Sequence, residues 1–213
     1  MKTITWTGCY AVRCICFICC LIQPYLAIYS SSEVTLVAAK HELNDATIYD
    51  VCCSSTGYVW LATHTGISRY DGFRFRNFPL NTSSGSPSYA VCSITEKENL
   101  LFLRLLQGGI ACFDERREVY IPISLEAPFA SGEITAFKLG DKNTICMGTG
   151  RGLYAGTFDR IREEGKEVIR IRMSGKPVIP KLISGICGDE AEVFACVDKS
   201  ETVSYTHLTL PTT

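Results

Sequence analysis

Three glycines set the frame for this chain. Gly66, Gly109 and Gly152 stand 43 residues apart, inside Thr63-His64-Thr65-Gly66-Ile67, Leu106-Gln107-Gly108-Gly109-Ile110 and Thr149-Gly150-Arg151-Gly152-Leu153. Tyr70-Asp71 returns 43 residues later as Phe113-Asp114, and Val59-Trp60-Leu61-Ala62-Thr63 returns two periods on as Ile145-Cys146-Met147-Gly148-Thr149. A fixed period of this length marks a tandem structural repeat, in which each unit buries its apolar surface against its neighbour.

Each unit resolves into four short strand signals. In the first they are Ile48–Cys53, Tyr58–Thr63, Ile67–Tyr70 and Phe73–Phe78, separated by Ser54-Ser55-Thr56-Gly57, His64-Thr65-Gly66 and Asp71-Gly72. These separators are turn chemistry: small or Asx residues that hydrogen-bond their own backbone, and glycines that reach positive φ. Four antiparallel strands per unit, repeated in tandem, predict an all-β chain, a β-propeller of four-stranded antiparallel blades. The expected blades lie at about 48–80, 89–123, 134–173 and 182–202, the last cut short, so the array is partial.

The first unit, GYVWLATHTGISRYDGFRF, resembles the two-component-regulator propeller repeat. The match runs through Trp60, Thr63, Gly66, Ile67, Arg69, Tyr70 and Asp71, with Ala62 where the pattern usually has Gly. The third unit keeps Gly148, Thr149, Gly152 and Leu153 but lacks the Trp and the Tyr-Asp. The second keeps Gly109, Ile110, Phe113 and Asp114. The resemblance implies the N-terminal periplasmic sensor of a hybrid two-component system. Such a sensor binds a carbohydrate outside the inner membrane and signals to a histidine kinase through the blades and domains that follow, in a parent that can form a homodimer. On this reading the expected partners are an oligosaccharide ligand and those remaining domains, no cofactor is needed, and this region is not itself an enzyme. Two other readings stay open: an exported propeller enzyme acting on glycans, and a non-catalytic protein-binding propeller.

The two ends are read separately. Residues 1–32 carry a mostly apolar run from Tyr10 to Ile22, shorter than the roughly 20 residues needed to span a bilayer, and suited to a secretory signal peptide. Val203 to Thr213, VSYTHLTLPTT, resembles the translation of a transposon-end sequencing adaptor. It is expected to be non-native, with the chain the front of a longer protein, and His207 is excluded from any site. The formal net charge of −1 leaves no electrostatic footprint for nucleic acid.

Most chemistry-bearing residues have a structural explanation. Trp60 lies mid-strand and is expected in the core. Gly148-Thr149-Gly150-Arg151-Gly152 looks like a phosphate cradle, but no helix follows it, which such a cradle requires. Asp71 and Asp114 recur at one turn and read as turn residues. Of the twelve Cys, five fall in the leader. The other seven form no CxxC pair, so no metal site is expected, and Cys52, Cys92 and Cys187 read as equivalent buried positions. RIREEGKEVIRIR, residues 160–172, is expected to be a solvated outer hairpin rather than a basic patch, because Glu163, Glu164 and Glu167 offset part of its basic charge. The candidate ligand contacts are His64, Thr65, Gln107 and Arg151, together with the loop from Asn81 to Ser88. The turns between second and third strands emerge beside the blade-to-blade loops, and here they vary on a constant scaffold.

Overall fold

The computed structural model describes residues 43, 45–80, 89–188 and 193–197, and the backbone of 201–205. The leader, the Asn81–Ser88 loop and residues 206–213 of the tail lie outside the described residues.

The first sheet is β1 (Ile48–Cys53), β2 (Val59–Thr63), β3 (Gly66–Tyr70) and β4 (Phe75–Pro79), in sequence order and antiparallel throughout. The second repeats it with β5 (Val91–Lys97), β6 (Leu100–Leu105), β7 (Ile110–Asp114) and β8 (Val119–Ile121). After Pro122 the chain forms β9 (Ile123–Glu126). The third sheet follows as β10 (Ile134–Leu139), β11 (Thr144–Thr149), β12 (Gly152–Glu163) and β13 (Lys166–Met173). The fourth contains β14 (Ile183–Gly188), β15 (Val193–Val197) and β16 (Glu201–Tyr205). Strand β16 runs across the boundary where the non-native tail is expected to begin. A ladder of backbone hydrogen bonds does not depend on which side chains follow that boundary.

Apolar side chains alternate along each strand and so fill both faces of a sheet. Three cores result, one per seam. Trp60, Ile67 and Phe78 of the first sheet meet Val91, Leu101, Leu103 and Phe113 of the second. Leu100, Phe102 and Cys112 of the second meet Phe137, Met147, Phe158 and Ile169 of the third. Cys146, Leu153 and Ala155 meet Ile183, Ala195 and Val197 across the last seam. The closeness of this packing fixes Gly148: a Cβ there would lie 2.6 Å from the Ile183 side chain.

The repeat is more regular in space than its sequence shows. In every innermost strand one residue drops out of the ladder, between Ile48 and Asp50, Val91 and Ser93, Ile134 and Ala136, and Ile183 and Gly185. Tyr49, Cys92 and Thr135 occupy these irregularities at 43-residue spacing, joined by Ser184. This corrects the expected equivalence of three cysteines. Cys52 and Cys187 share a position, whereas Cys92 sits in the bulge, and none of the three is buried as expected: Cys52 and Cys92 are half-buried and Cys187 is exposed.

The second unit also conceals a shift. Its β5–β6 turn is one residue shorter than that of the first unit, and its β6–β7 turn one residue longer, since Leu105 N–H donates to the Gly109 carbonyl across Leu106–Gly108. The two changes cancel, so the glycine spacing stays at 43 while Trp60 is matched by Phe102, 42 residues on.

The outer hairpins differ for a local reason. Asp71 Oδ1 accepts from the N–H groups of Phe73 and Arg74, each at 2.8 Å, and Asp114 Oδ1 accepts from Arg116 and Arg117, each at 3.0 Å. Each carboxylate ends its third strand in an Asx turn. Phe73, expected at the head of the outer strand, is instead held in this turn and is 93% exposed. The third unit has Thr157 at the corresponding place, and there the strand continues to Glu163 before turning on Glu164-Gly165, both at positive φ. Beside this long hairpin lies a departure from four strands: β9 pairs with β13 in parallel, Ile123 opposite Ile169 through Glu126 opposite Arg172.

Candidate functional site

The three turns between second and third strands lie beside the connections between sheets. Leu80 N–H donates to the Thr65 carbonyl, Leu106 N–H to Ala90, and Leu153 N–H to Ile179. The first and third turns share one construction. Thr63 Oγ1 donates to the Gly66 carbonyl at 3.1 Å, and Thr149 Oγ1 does the same to Gly152 at 3.1 Å. Both threonines are buried. Gly66 and Gly152 have φ of +141° and +153°, and a Cβ on either would lie 2.5 Å from a carbonyl, that of Phe78 in β4 and that of Ile179 in the connection after β13. Only glycine meets both demands.

On this scaffold His64, Gln107 and Arg151 are exposed and Thr65 is half-buried. The Tyr49 hydroxyl lies 3.4 Å from His64 Nδ1, so the residue expelled from the innermost ladder supports the turn residue. Arg151 Nη2 pairs with Glu133 Oε1 at 3.0 Å, across to the 3₁₀ turn Ser131–Glu133. Gly108 packs against that same turn, where a Cβ would lie 2.1 Å from the Gly132 carbonyl. His64 and Arg151 therefore engage their own sheet and the adjoining connection, while Gln107 stands exposed on the same face. The exposed side chains of Tyr89, Leu106 and Leu182 belong to the same turns and connections.

The remaining signature residues work at the first seam. Trp60 is fully buried, and its Nε1 donates to Glu115 Oε1 at 3.0 Å. Ser54 Oγ donates to the same oxygen at 2.7 Å, and Thr56 Oγ1 is a third donor to it. Glu115, only 3% exposed, belongs to the turn after β7 and reaches into the first sheet; its other carboxylate oxygen has no hydrogen-bond partner. Arg69 pairs with Glu118 at 2.8 Å, and its guanidinium sits 4.3 Å from the centroid of the Tyr58 ring. Tyr70 stacks on Phe75. Sequence reasoning missed Glu115 and Glu118, because nothing local distinguishes them from solvated turn acids.

At the second seam Asp114 holds its turn and also accepts from Arg160 Nη2 at 2.6 Å. Burial pushes the Asp114 carboxyl up, but the Arg117 N–H and the Arg160 guanidinium outweigh it and hold the group below the ordinary range. Asp71, in its exposed turn, is lowered by the N–H groups of Arg74 and Phe73. Burial pushes the thiols of Cys112 and Cys146 up to about 12, which leaves them protonated and unreactive. All seven described cysteines are unpaired. Among the described residues no group of three or more His, Cys, Asp or Glu is placed to hold a metal ion, and no helix is long and apolar enough to cross a membrane.

No protein family matches the sequence, and no curated protein matches it. Solved structures do match. The extracellular domain of BT3049 of B. thetaiotaomicron, described as a hybrid two-component system, superposes with a TM-score of 0.56 at 10% identity, over 81% of this chain and 25% of that one. The extracellular domain of BT4673 from the same organism, described likewise, gives 0.52 at 18% identity, over 73% of this chain and 21% of that one. The C-terminal WD40 domain of Sif2 gives 0.51 at 10% identity, over 74% and 45%. The fold is a β-propeller. At these identities the likeness concerns the fold alone, and the chain spans about a quarter or less of the two bacterial extracellular domains. The four sheets are thus blades of a propeller, and the turn face is one of its two loop-bearing faces.

Proposed function

We propose that this propeller is the ligand-sensing part of an exported two-component sensor and that its turn face recognises an oligosaccharide. The observation that carries the reading is the hairpin built on Thr63, Gly66, Thr149 and Gly152, which holds its backbone fixed while presenting His64 in one blade and Arg151 in another. Variable donors and acceptors on a rigid scaffold, next to exposed tyrosines, match the needs of a polyol: directional hydrogen bonds and an aromatic face. The fold likeness to two extracellular domains described as parts of two-component systems supports the setting. In that setting the parent is periplasmic and attached to the inner membrane, further blades and signalling domains are the partners, and ligand binding biases one of two states.

The test is a titration of the purified chain with a panel of neutral oligosaccharides, followed by His64→Ala, Arg151→Ala and Tyr49→Ala on whichever sugar binds. A fall in affinity of about tenfold or more is expected for at least two of these, the size of a lost hydrogen bond or ring contact. A folded chain that binds no sugar, or one whose binding ignores all three substitutions, overturns the reading. Capture of an apolar peptide instead would favour a protein-binding propeller, the alternative that Leu106, at 50% exposed, supports.

A further inference from the structure

We propose that the cleft between the β7–β8 turn and the β12–β13 hairpin is a second binding site, for an oxyanion group (sulfate, phosphate or carboxylate) carried by a small ligand. The cleft measures about 380 Å³ and is lined by Arg117, Tyr120, Pro122, Arg162, Lys166 and Glu167, among others. That volume falls within the range of small-molecule sites. It lies on the outer rim of blades two and three, away from the turn face, and does not depend on the sugar reading above.

The hairpin that forms one wall exists because Thr157 replaces the Asx stop and lets β12 run on to Glu163. In sequence the acids and bases of this hairpin are interspersed, but in space they are sorted. Glu167 is taken up twice, by Arg117 and by Arg160, and Arg160 also holds Asp114. Glu163 is paired with Arg170, and Glu126 with Arg170 and Arg172. Of the acids on this hairpin, only Glu164, exposed at its tip, forms no ion pair among the described residues. Arg162 and Lys166 both line the cleft, both are exposed, and neither forms an ion pair among the described residues. Arg117, half-exposed and held by Glu167, adds a third cation to the wall.

A guanidinium offers two parallel N–H donors to an oxyanion, and an ammonium beside it adds a mobile point charge. A cleft concentrates such a field more than a flat surface does. The Tyr120 hydroxyl is occupied by the Phe78 carbonyl at 2.8 Å, so this residue contributes apolar wall rather than a competing donor. The arrangement suits one anionic group with an apolar or sugar body behind it.

The test is calorimetric titration of the full chain with a sulfated disaccharide, its unsulfated counterpart, inorganic sulfate and inorganic phosphate. The sulfated sugar is expected to bind more tightly than the neutral one and to weaken steeply as NaCl rises from about 50 to about 300 mM, because exposed charges are progressively screened. The Arg162→Ala/Lys166→Ala double variant should lose at least about tenfold in affinity. Arg162→Lys alone should lose less, since it keeps the charge but not the fork. Both side chains are exposed, so the melting temperature should stay put and serve as the folding control. If inorganic sulfate or phosphate binds as tightly as the sulfated sugar and is lost in the double variant, the site stands and its ligand is a free anion. If no anionic probe outbinds the neutral sugar, or the double variant binds as well as the parent, the proposal falls.

Discussion

The first and second seams of this propeller solve one problem with different chemistry. Between blades one and two, a buried carboxylate collects neutral donors: Trp60, Ser54 and Thr56 all give to one oxygen of Glu115. Between blades two and three, the tie consists of ion pairs at the rim, Asp114 with Arg160 and Glu167 with Arg117 and Arg160, together with the parallel strand β9 on β13. The first arrangement is buried around Trp60, Ser54 and Glu115, with only Thr56 exposed. The second is partly open to solvent and shares its load with backbone hydrogen bonds. Two seams of similar geometry should therefore differ in how they respond to truncation, salt and acid.

The largest effect should come from Trp60→Ala. It removes a fully buried ring packed on Phe78 and Phe113, and it takes one donor from Glu115. A loss of about 3–5 kcal/mol in urea unfolding is expected. Glu115→Ala should follow at about 3 kcal/mol, because three donors lose their acceptor inside the seam. Glu115→Gln should stay within about 1 kcal/mol of the parent, since an amide oxygen can still accept and a buried charge is removed. Equal losses from Ala and Gln would mean that the charge itself holds the first seam.

At the second seam Asp114→Ala should cost about 2 kcal/mol and Asp114→Asn about half of that, because Asn can keep the Asx turn but not the ion pair. Raising NaCl from about 0.1 to about 1 M should shrink the Asn penalty while leaving that of Glu115→Ala unchanged, as the Debye length falls from about 10 to about 3 Å. A salt response of the same size at both seams would erase the distinction. Acid offers a related test. The Asp114 pKa is lowered in the fold, so its contribution is complete above the unfolded value of about 4 and is lost as pH falls through the folded one. Parent and Asp114→Asn stabilities should therefore converge below about pH 4. The smallest effect is kinetic. Cys112 lies in the second seam with its thiol pushed up to about 12, so alkylation at pH 8 should report opening of that seam. Asp114→Ala should speed labelling of Cys112 more than Glu115→Ala does, while exposed Cys53 labels at once in every variant.

What the sequence disclosed was local chemistry, and what it hid was pairing at a distance. Thr63, Gly66, Thr149 and Gly152 announce their hairpins because the turn itself demands those residue types. The four-strand rhythm follows from alternating apolar residues and turn punctuation, and so did the propeller. The shift in blade two stayed hidden because a deletion in one turn and an insertion in the next leave the glycine spacing unchanged. Strand β9 was hidden because Ile123–Glu126 is short, lies between Pro122 and Pro128, and becomes a strand only when β13 supplies its partner. The candidate turn residues were readable as exposed positions, but not their supports: Tyr49 behind His64 and Glu133 beside Arg151 come from other segments. The rim cleft was obscured because acids and bases are interspersed along residues 160–172, and their order says nothing about which acid meets which base.

Strand β9 also bears on where this molecule can be cut. A repeat of 43 residues invites the view that blades are interchangeable modules, separable at any connection. Here the outer edge of blade three is sealed by residues that precede that blade in the chain. A break placed between Glu126 and Ile134, the obvious boundary by period, would leave β13 with a bare row of donors and acceptors, the kind of edge that recruits other chains. A break before Pro122 would carry the cover along but shorten blade two. The structural unit and the sequence unit are therefore out of phase, and any shuffling, permutation or grafting of this blade must follow the former.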